Sequence, residues 1–333
     1  MIAIGFGWST WMAERGNDMV AQLEGVASVV QRLAVLLTAG VAPAAAWGYL
    51  AEDAGEGILR TVAGDAARGV PIAESLVAAV GDAAVAQARA QPQAQAQAQG
   101  AQAWRGLAAA WQVATVAGAS LAPSLRQFAS SLRELAQTHR DLSVALAGPV
   151  ATARMVMVLP LIGVLFGLAL GFDTLGTLFT TAPGWVCLLL GIALMVGARR
   201  WNRRLVARAQ PHILTPGLDL DLMAIAVSGG ASLVRASVAV EEARAVCGLA
   251  PDGAAGIESV LSLSRRAGVP AAELLRSEAE EMRRKARSEG QRTAATLAVT
   301  LMLPLGLCIL PAFMLLGVAP LIISIVSSTV GLI

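Results

Sequence analysis

Apolar and charged positions along the chain separate into amphipathic helical stretches and long uncharged ones. From Thr293 to Ile333 no residue carries a charge, and the same holds for Met155 to Phe172 and for Thr174 to Ala198. Each of these is long enough to cross a bilayer as a helix. Just before the last of them, Leu275, Ala279, Met282 and Ala286 recur at spacings of four, three and four, which lines them on one helical face. Arg276, Arg283, Arg284, Lys285 and Arg287 take much of the remainder. An earlier stripe, Leu121, Leu125, Phe128, Leu132, Leu135, Leu142 and Leu146, predicts a long helix packed against neighbours. Strand patterning is poor throughout, because alanine dominates and β-branched alternation is missing.

One pattern is written twice. Residues 116–134 align without gaps with 266–284: Ala117, Gly118, Ala122, Leu125, Arg126, Ala129 and Arg133 recur as Ala267, Gly268, Ala272, Leu275, Arg276, Ala279 and Arg283. Each copy leads into an apolar segment holding Leu-Pro-Leu, at 159–161 and at 303–305. Residues 33–47 resemble 223–237 in pattern. The reading is a duplicated helical module, each copy feeding the membrane.

Four segments follow. Residues 1–150 form a first helical domain; 151–199 a transmembrane hairpin turning around Asp173 and Pro183; 200–292 a second, shortened helical domain; and 293–333 a C-terminal transmembrane segment. Within the first domain, 82–103 is an alanine–glutamine tract without large apolar side chains, read as a solvated connector. Residues 1–13 carry Trp8 and Trp11 but no preceding basic region, so they read as an interfacial foot or first core helix rather than a cleaved signal peptide. Gly40, Gly118, Gly230 and Gly268 stop helices, and Gly148-Pro149 breaks the chain before the membrane. Pro160, Pro304 and Pro311 remove backbone donors inside apolar helices. One span to about Val318 is expected in the tail, the rest being tilted, re-entrant or peripheral.

Arginine marks the membrane boundaries: Arg154, then Arg199, Arg200, Arg203 and Arg204 around Trp201, then Arg292. Basic clusters on one side of every span place both helical domains in the cytoplasm by the positive-inside rule. The composition agrees, with 56% hydrophobic and 14% charged residues and a mean hydropathy of +0.64. The net charge of +2 collects beside apolar spans and offers no nucleic-acid surface.

Catalytic chemistry is hard to place. Lys285 is the one lysine, so no phosphate-binding GxxxxGK[ST] loop exists, and GxGxxG and GxSxG are absent. His139 and His212 are too few for a histidine metal site, and Cys187, Cys247 and Cys308 lack ligand spacing. His139 reads as solvated, and the cysteines as small buried hydrophobes. Glu278, Glu280 and Glu281 share a helix with arginines, a solvated ion-pair face; Asp219 and Asp221 suit a helix start. No catalytic, cofactor or metal residue is assigned, and the chain is read as a non-enzyme.

The quoted residues resemble the platform proteins of type II secretion and type IV pilus machines, the secretion-system F-domain family. The segments carrying this are LLTAG at 36–40, GVP at 69–71, 117–134, VLPL at 158–161, VSGGASL at 227–233, 266–286 and LPLGLCILPAFMLL at 303–316. Within that family they are most similar to the paired platform proteins of tight-adherence pili, with the two halves resembling the two partners fused. The resemblance implies an all-α inner-membrane scaffold of the bacterial cell, multi-pass, with two antiparallel helical-bundle cytoplasmic domains. It also implies a homo-oligomer contacting a separate hexameric assembly ATPase, pilin subunits, other platform subunits and the bilayer. The expected partner contacts are Arg126, Arg133, Arg276 and Arg283. A membrane subunit of a transporter or of a DNA-uptake apparatus is the other class; uncharged spans argue against a polar transport path.

Overall fold

The computed structural model describes residues 2–53, 57–90, 94–169, 176, 179–209, 216–250, 255–320 and 322–323. Regular structure among them is entirely helical. Helices α1 (Ile2–Thr38), α2 (Pro43–Asp53), α3 (Ile58–Ala67), α4 (Ile72–Ala90) and α5 (Ala94–Ala117) precede the long α6 (Leu121–Ala169). Then come α7 (Ala182–Ala209), α8 (Leu218–Ser228), α9 (Leu233–Cys247), α10 (Ala255–Ala267) and α11 (Ala271–Thr300). After α11 the backbone alternates: α-helical at Met302–Pro304, π-helical at Leu305–Ile309, α-helical at Leu310–Phe313 and π-helical at Met314–Val318.

Glycines set most of the stops. At the end of α1 the Gly40 amide donates to the Leu37 carbonyl and the Val41 amide to that of Leu36, both at 3.1 Å. At the end of α5 the Gly118 and Ala119 amides donate likewise to Thr115 and Ala114. This double closure satisfies carbonyls left over at a helix end and needs a left-handed residue. Gly40, Gly118, Gly230 and Gly268 have φ of 85°, 67°, 87° and 66°.

Contacts divide the chain into two compact units. One comprises Arg15–Arg140 and His212–Ser288. Its core draws on both halves of the sequence: Leu33, Trp47, Val62, Leu76, Leu107, Leu125 and Leu132 lie in one buried cluster with Leu222, Ala224, Ala243 and Leu275. Each large aliphatic side chain buried there contributes about 1.5–3 kcal/mol. The hub is α5, which packs against α4 on one side of the sequence and α8 and α9 on the other. Its buried Ala108, Ala109, Ala110 and Ala114 let those helices approach closely.

The expected separation into two helical domains is therefore not how this unit is divided. α8 explains why: every residue from Leu218 to Ala226 is buried, so it has no solvent face to offer the surface of a small domain of its own. The tract at 82–103, read from the sequence as a solvated connector, is described in part. Its described residues belong to α4 and α5, and Gly100 and Ala103 are buried. Alanine and glutamine are good helix formers, and at Gly100 an added Cβ would meet the end of the Gln22 side chain.

The other unit comprises the chain up to Glu14, Asp141–Pro211 and the chain from Glu289. Here α7 packs on the alternating segments of 302–318. Glycines form the seams: a Cβ at Gly191 would meet the Leu316 side chain, and one at Gly163 the Phe313 ring and the Gly317 backbone. Small residues at helix contacts are how apolar helices gain packing where lipid offers no hydrophobic drive. The outer faces are apolar, with Phe166, Val186, Leu189, Leu307 and Leu310 all exposed.

Gly148-Pro149 does not break the chain, since α6 runs through it; a helix near lipid tolerates proline where local adjustment and neighbours re-satisfy the freed carbonyl. Asp173 of the expected hairpin turn, and the end of the tail, lie outside the described residues.

Candidate functional site

Among the described residues three helices are long and apolar enough to cross a membrane: Met19–Thr38, Ala182–Asn202 and Ala271–Val318. Of the first, 39% is buried, against 17% of the second. Val20, Leu23, Val26, Val30 and Leu33 of the first sit in the two-half core, which makes it a core helix. The second turns Trp185, Val186, Leu189 and Leu190 outward, as a lipid-facing helix does. The third is free of charge from Thr293 onward. The chain is a membrane protein.

The boundary arginines fall where apolar helix ends. Arg199 is half-buried, and Arg200, Arg204 and Arg292 are exposed, with Trp201 beside the first three. Arg154 and Arg203 lie on α6 and α7, their side chains outside the described set. Pro160 lies within α6; Pro304 is buried and closes the first α-helical turn after α11; Pro311 opens the second.

The repeated pattern builds the chemistry of the larger unit. Gly118 and Gly268 are each followed three residues later by a helix, α6 and α11. Equivalent apolar positions are equally buried: Leu125 with Leu275, Ala129 with Ala279. The arginines diverge. Arg126 is exposed and its Nη2 donates to Thr38 Oγ1 at 2.6 Å, tying the start of α6 to the end of α1. Arg133 is exposed and Arg276 half-buried. Arg283 is buried; its Nη1 donates to Asp221 Oδ2 at 2.9 Å and its Nε to Glu134 Oε2 at 3.1 Å. Arg283 is thus committed inside the fold, and the expectation that it faces a partner is corrected. A guanidinium sealed from solvent requires carboxylates, and Asp221 and Glu134 supply them.

Asp221 lies in the first turn of α8 and also accepts from Ser131 Oγ at 3.4 Å. Its Oδ1 is buried without a hydrogen-bond partner. Burial pushes the carboxyl up to about 6, against the opposing pull of Arg283, Ser131 and Arg276. Asp219, two residues before, pairs with Arg244 at 3.5 Å. Beside Asp221 opens a cavity of about 260 Å³, lined by Ser124, Gln127, Phe128, Leu222 and Arg276 among others.

Glu281 pairs with Arg284 at 2.8 Å on the exposed face of α11, and that hydrogen bond lowers its pKa. His139 is half-buried rather than solvated, and burial lowers its pKa. His212 lies outside the described residues. Cys247 is buried, its thiol pushed up to about 11; Cys187 and Cys308 are half-buried. Among the described residues no group of three or more His, Cys, Asp or Glu could hold a metal ion.

The Asp221–Arg283 pair escaped the sequence reading, though one signal was available. Two carboxylates stand in LDLDLMAIAV, a stretch otherwise wholly apolar. Such carboxylates are more often buried and paired than capping a surface helix.

Residues 29–169 match the family model described as "Type II secretion system (T2SS), protein F". No curated protein matches the chain. No solved structure matches it either.

Proposed function

We propose, from the match of residues 29–169 to the type II secretion system protein F model, that this chain is an inner-membrane platform of a type II secretion or tight-adherence-like pilus machine. It couples a separate assembly ATPase to the extraction of pilin from the bilayer and its addition to a growing fibre. The observation that carries this reading is the family match on a chain that joins a helical core to lipid-facing helices ringed by arginine. The chain transmits work rather than generating it. Both parts of the larger unit face the cytoplasm, where the ATPase acts; the basic collars at 199–204 and 283–292 support that orientation.

The test is deletion of the gene in the source bacterium, with pilin and ATPase levels followed in parallel. Loss of surface fibres or of secreted substrate, with both other components still present, is the expected result. Normal fibres and normal secretion in the deletion strain overturn the reading.

A further inference from the structure

Two opposite faces of α7 are used differently. Gly191, Ala198 and Asn202 are buried and, at spacings of seven and four, share the face on which Gly191 meets Leu316. Leu189, Ala193, Val196, Arg200 and Arg204 are all exposed. Their spacings of four, three, four and four put them on the opposite face. The first three are apolar and the last two cationic, with exposed Trp201 at the level of the arginines. Within the stripe, a Cβ added at Gly197 would meet nothing within 4 Å. From Arg200 back to Leu189 the helix rises about 16 Å, close to the roughly 15 Å of hydrocarbon in one leaflet.

Charge and depth select the occupant. Between Asp173 and Asp219 the chain carries Arg199, Arg200, Arg203, Arg204 and Arg208 and no carboxylate. Positive charge at this end of α7 therefore has no acidic answer on its own helix, whereas Arg284 of α11 pairs with Glu281. Two guanidinium groups one turn apart offer N–H forks to the oxygens of a phosphate diester. A zwitterionic headgroup brings a cation of its own and gains less from them. An acidic peptide would answer the charge, but its backbone would lie unsatisfied against the lipid-facing part of the stripe. An acyl chain has no such groups to satisfy.

We propose that the outer face of α7 binds an anionic glycerophospholipid, its phosphate held by Arg200 and Arg204 and one acyl chain laid along Val196, Ala193 and Leu189. This goes beyond the platform reading and is independent of it, because the test needs neither ATPase nor pilin.

The full-length protein is placed in phosphatidylcholine nanodiscs holding a small fraction of phosphatidylglycerol with a diazirine midway along one acyl chain. After irradiation the labelled peptides are mapped by mass spectrometry. Label is expected to concentrate within 189–197. Unlabelled phosphatidylglycerol should compete about tenfold better than phosphatidylcholine with the same chains. Arg200→Gln/Arg204→Gln should lower labelling to the level given by photoreactive phosphatidylcholine, while Arg284→Gln/Arg287→Gln should leave it unchanged. If the double variant does not enter nanodiscs, Arg200→Gln and Arg204→Gln decide singly, each weakening competition about fivefold. Unchanged labelling of the Arg200 and Arg204 variants overturns the proposal. Equal competition by phosphatidylcholine, or label spread evenly over α6 and 302–318, assigns the stripe to bulk lipid and also overturns it. So does displacement by millimolar inorganic phosphate, which makes the ligand a free anion, or cross-linking of this face to a second copy in place of lipid.

Discussion

Nη1 of Arg283 stands 2.9 Å from Oδ2 of Asp221, and each side chain keeps only 8% of its surface exposed. The two residues lie 62 positions apart, in α11 and α8, so the pair locks the helix that leads to the last apolar segment onto the most deeply buried helix of the core. Removing one partner leaves a buried charge unanswered. Arg283→Ala is expected to cost about 3–5 kcal/mol at neutral pH. The double variant Asp221→Leu/Arg283→Met should recover much of that loss, because apolar groups of similar size need no partner. Urea unfolding of the detergent-solubilised chain, run as a double-mutant cycle, measures both.

The same carboxylate makes stability depend on pH. Asp221 sits at about 6 in the fold against a usual 3.8, so the folded state holds its proton more tightly than the unfolded one. The stabilisation from this group is complete below pH 3.8 and is lost as pH rises through about 6. A shift of that size corresponds to at most ~3 kcal/mol. Asp221→Asn should flatten this part of the profile. Unfolding midpoints of the two proteins at intervals between pH 4 and 7 provide the comparison, and parallel curves would contradict the assignment.

At Gly40 a Cβ would meet nothing within 4 Å, yet φ is +85°. Gly40→Ala should therefore cost roughly 1–2 kcal/mol, purely from forcing a side chain into left-handed backbone. Gly40→Asn should cost less, since asparagine tolerates that region better. Gly229→Ala destabilises for another reason: its φ is an ordinary −75°, but the new Cβ would run into the Ala117 carbonyl. Thermal unfolding of the three variants separates the two causes.

In the membrane-embedded unit, Leu316 occupies the space a side chain at Gly191 would need. Gly191→Val should cost about 1–3 kcal/mol by overpacking, and Leu316→Ala in the same chain should restore part of it. The temperature at which the protein aggregates in mild detergent reads this out; absence of rescue would show that the two residues do not meet.

Arg126 and Arg133 remain exposed where Arg283 does not. Arg126→Glu and Arg133→Glu should reduce recovery of the assembly ATPase with the solubilised platform; Arg133→Glu should leave the unfolding temperature nearly unchanged, while Arg126→Glu lowers it slightly through loss of the Thr38 hydrogen bond. Unaltered recovery would remove both from the contact surface.

The helical character, the glycine stops and the apolar spans were legible because each rests on local rules: periodicity, left-handed caps and lengths of uncharged chain. Leu125 and Leu275, which match between 116–134 and 266–284, are both buried. What the sequence concealed was non-local. Arg283 and Arg133 occupy the same repeat position, and only packing against α8 buries one and exposes the other. The tract at 82–103 looked solvated because it lacks large side chains. Within it, Gly100 and Ala103 are buried in α5. Gly148-Pro149 carries the strongest breaking signal in the chain, and the helix overrides it.

Because Leu107, Leu222 and Leu275 share one buried cluster with Trp47, neither half of the polypeptide encloses a complete interior by itself. Covalent linkage makes their meeting a unimolecular event, governed by an effective concentration that the connecting chain sets and cellular abundance does not. A strict one-to-one stoichiometry is thereby built into every copy that leaves the ribosome.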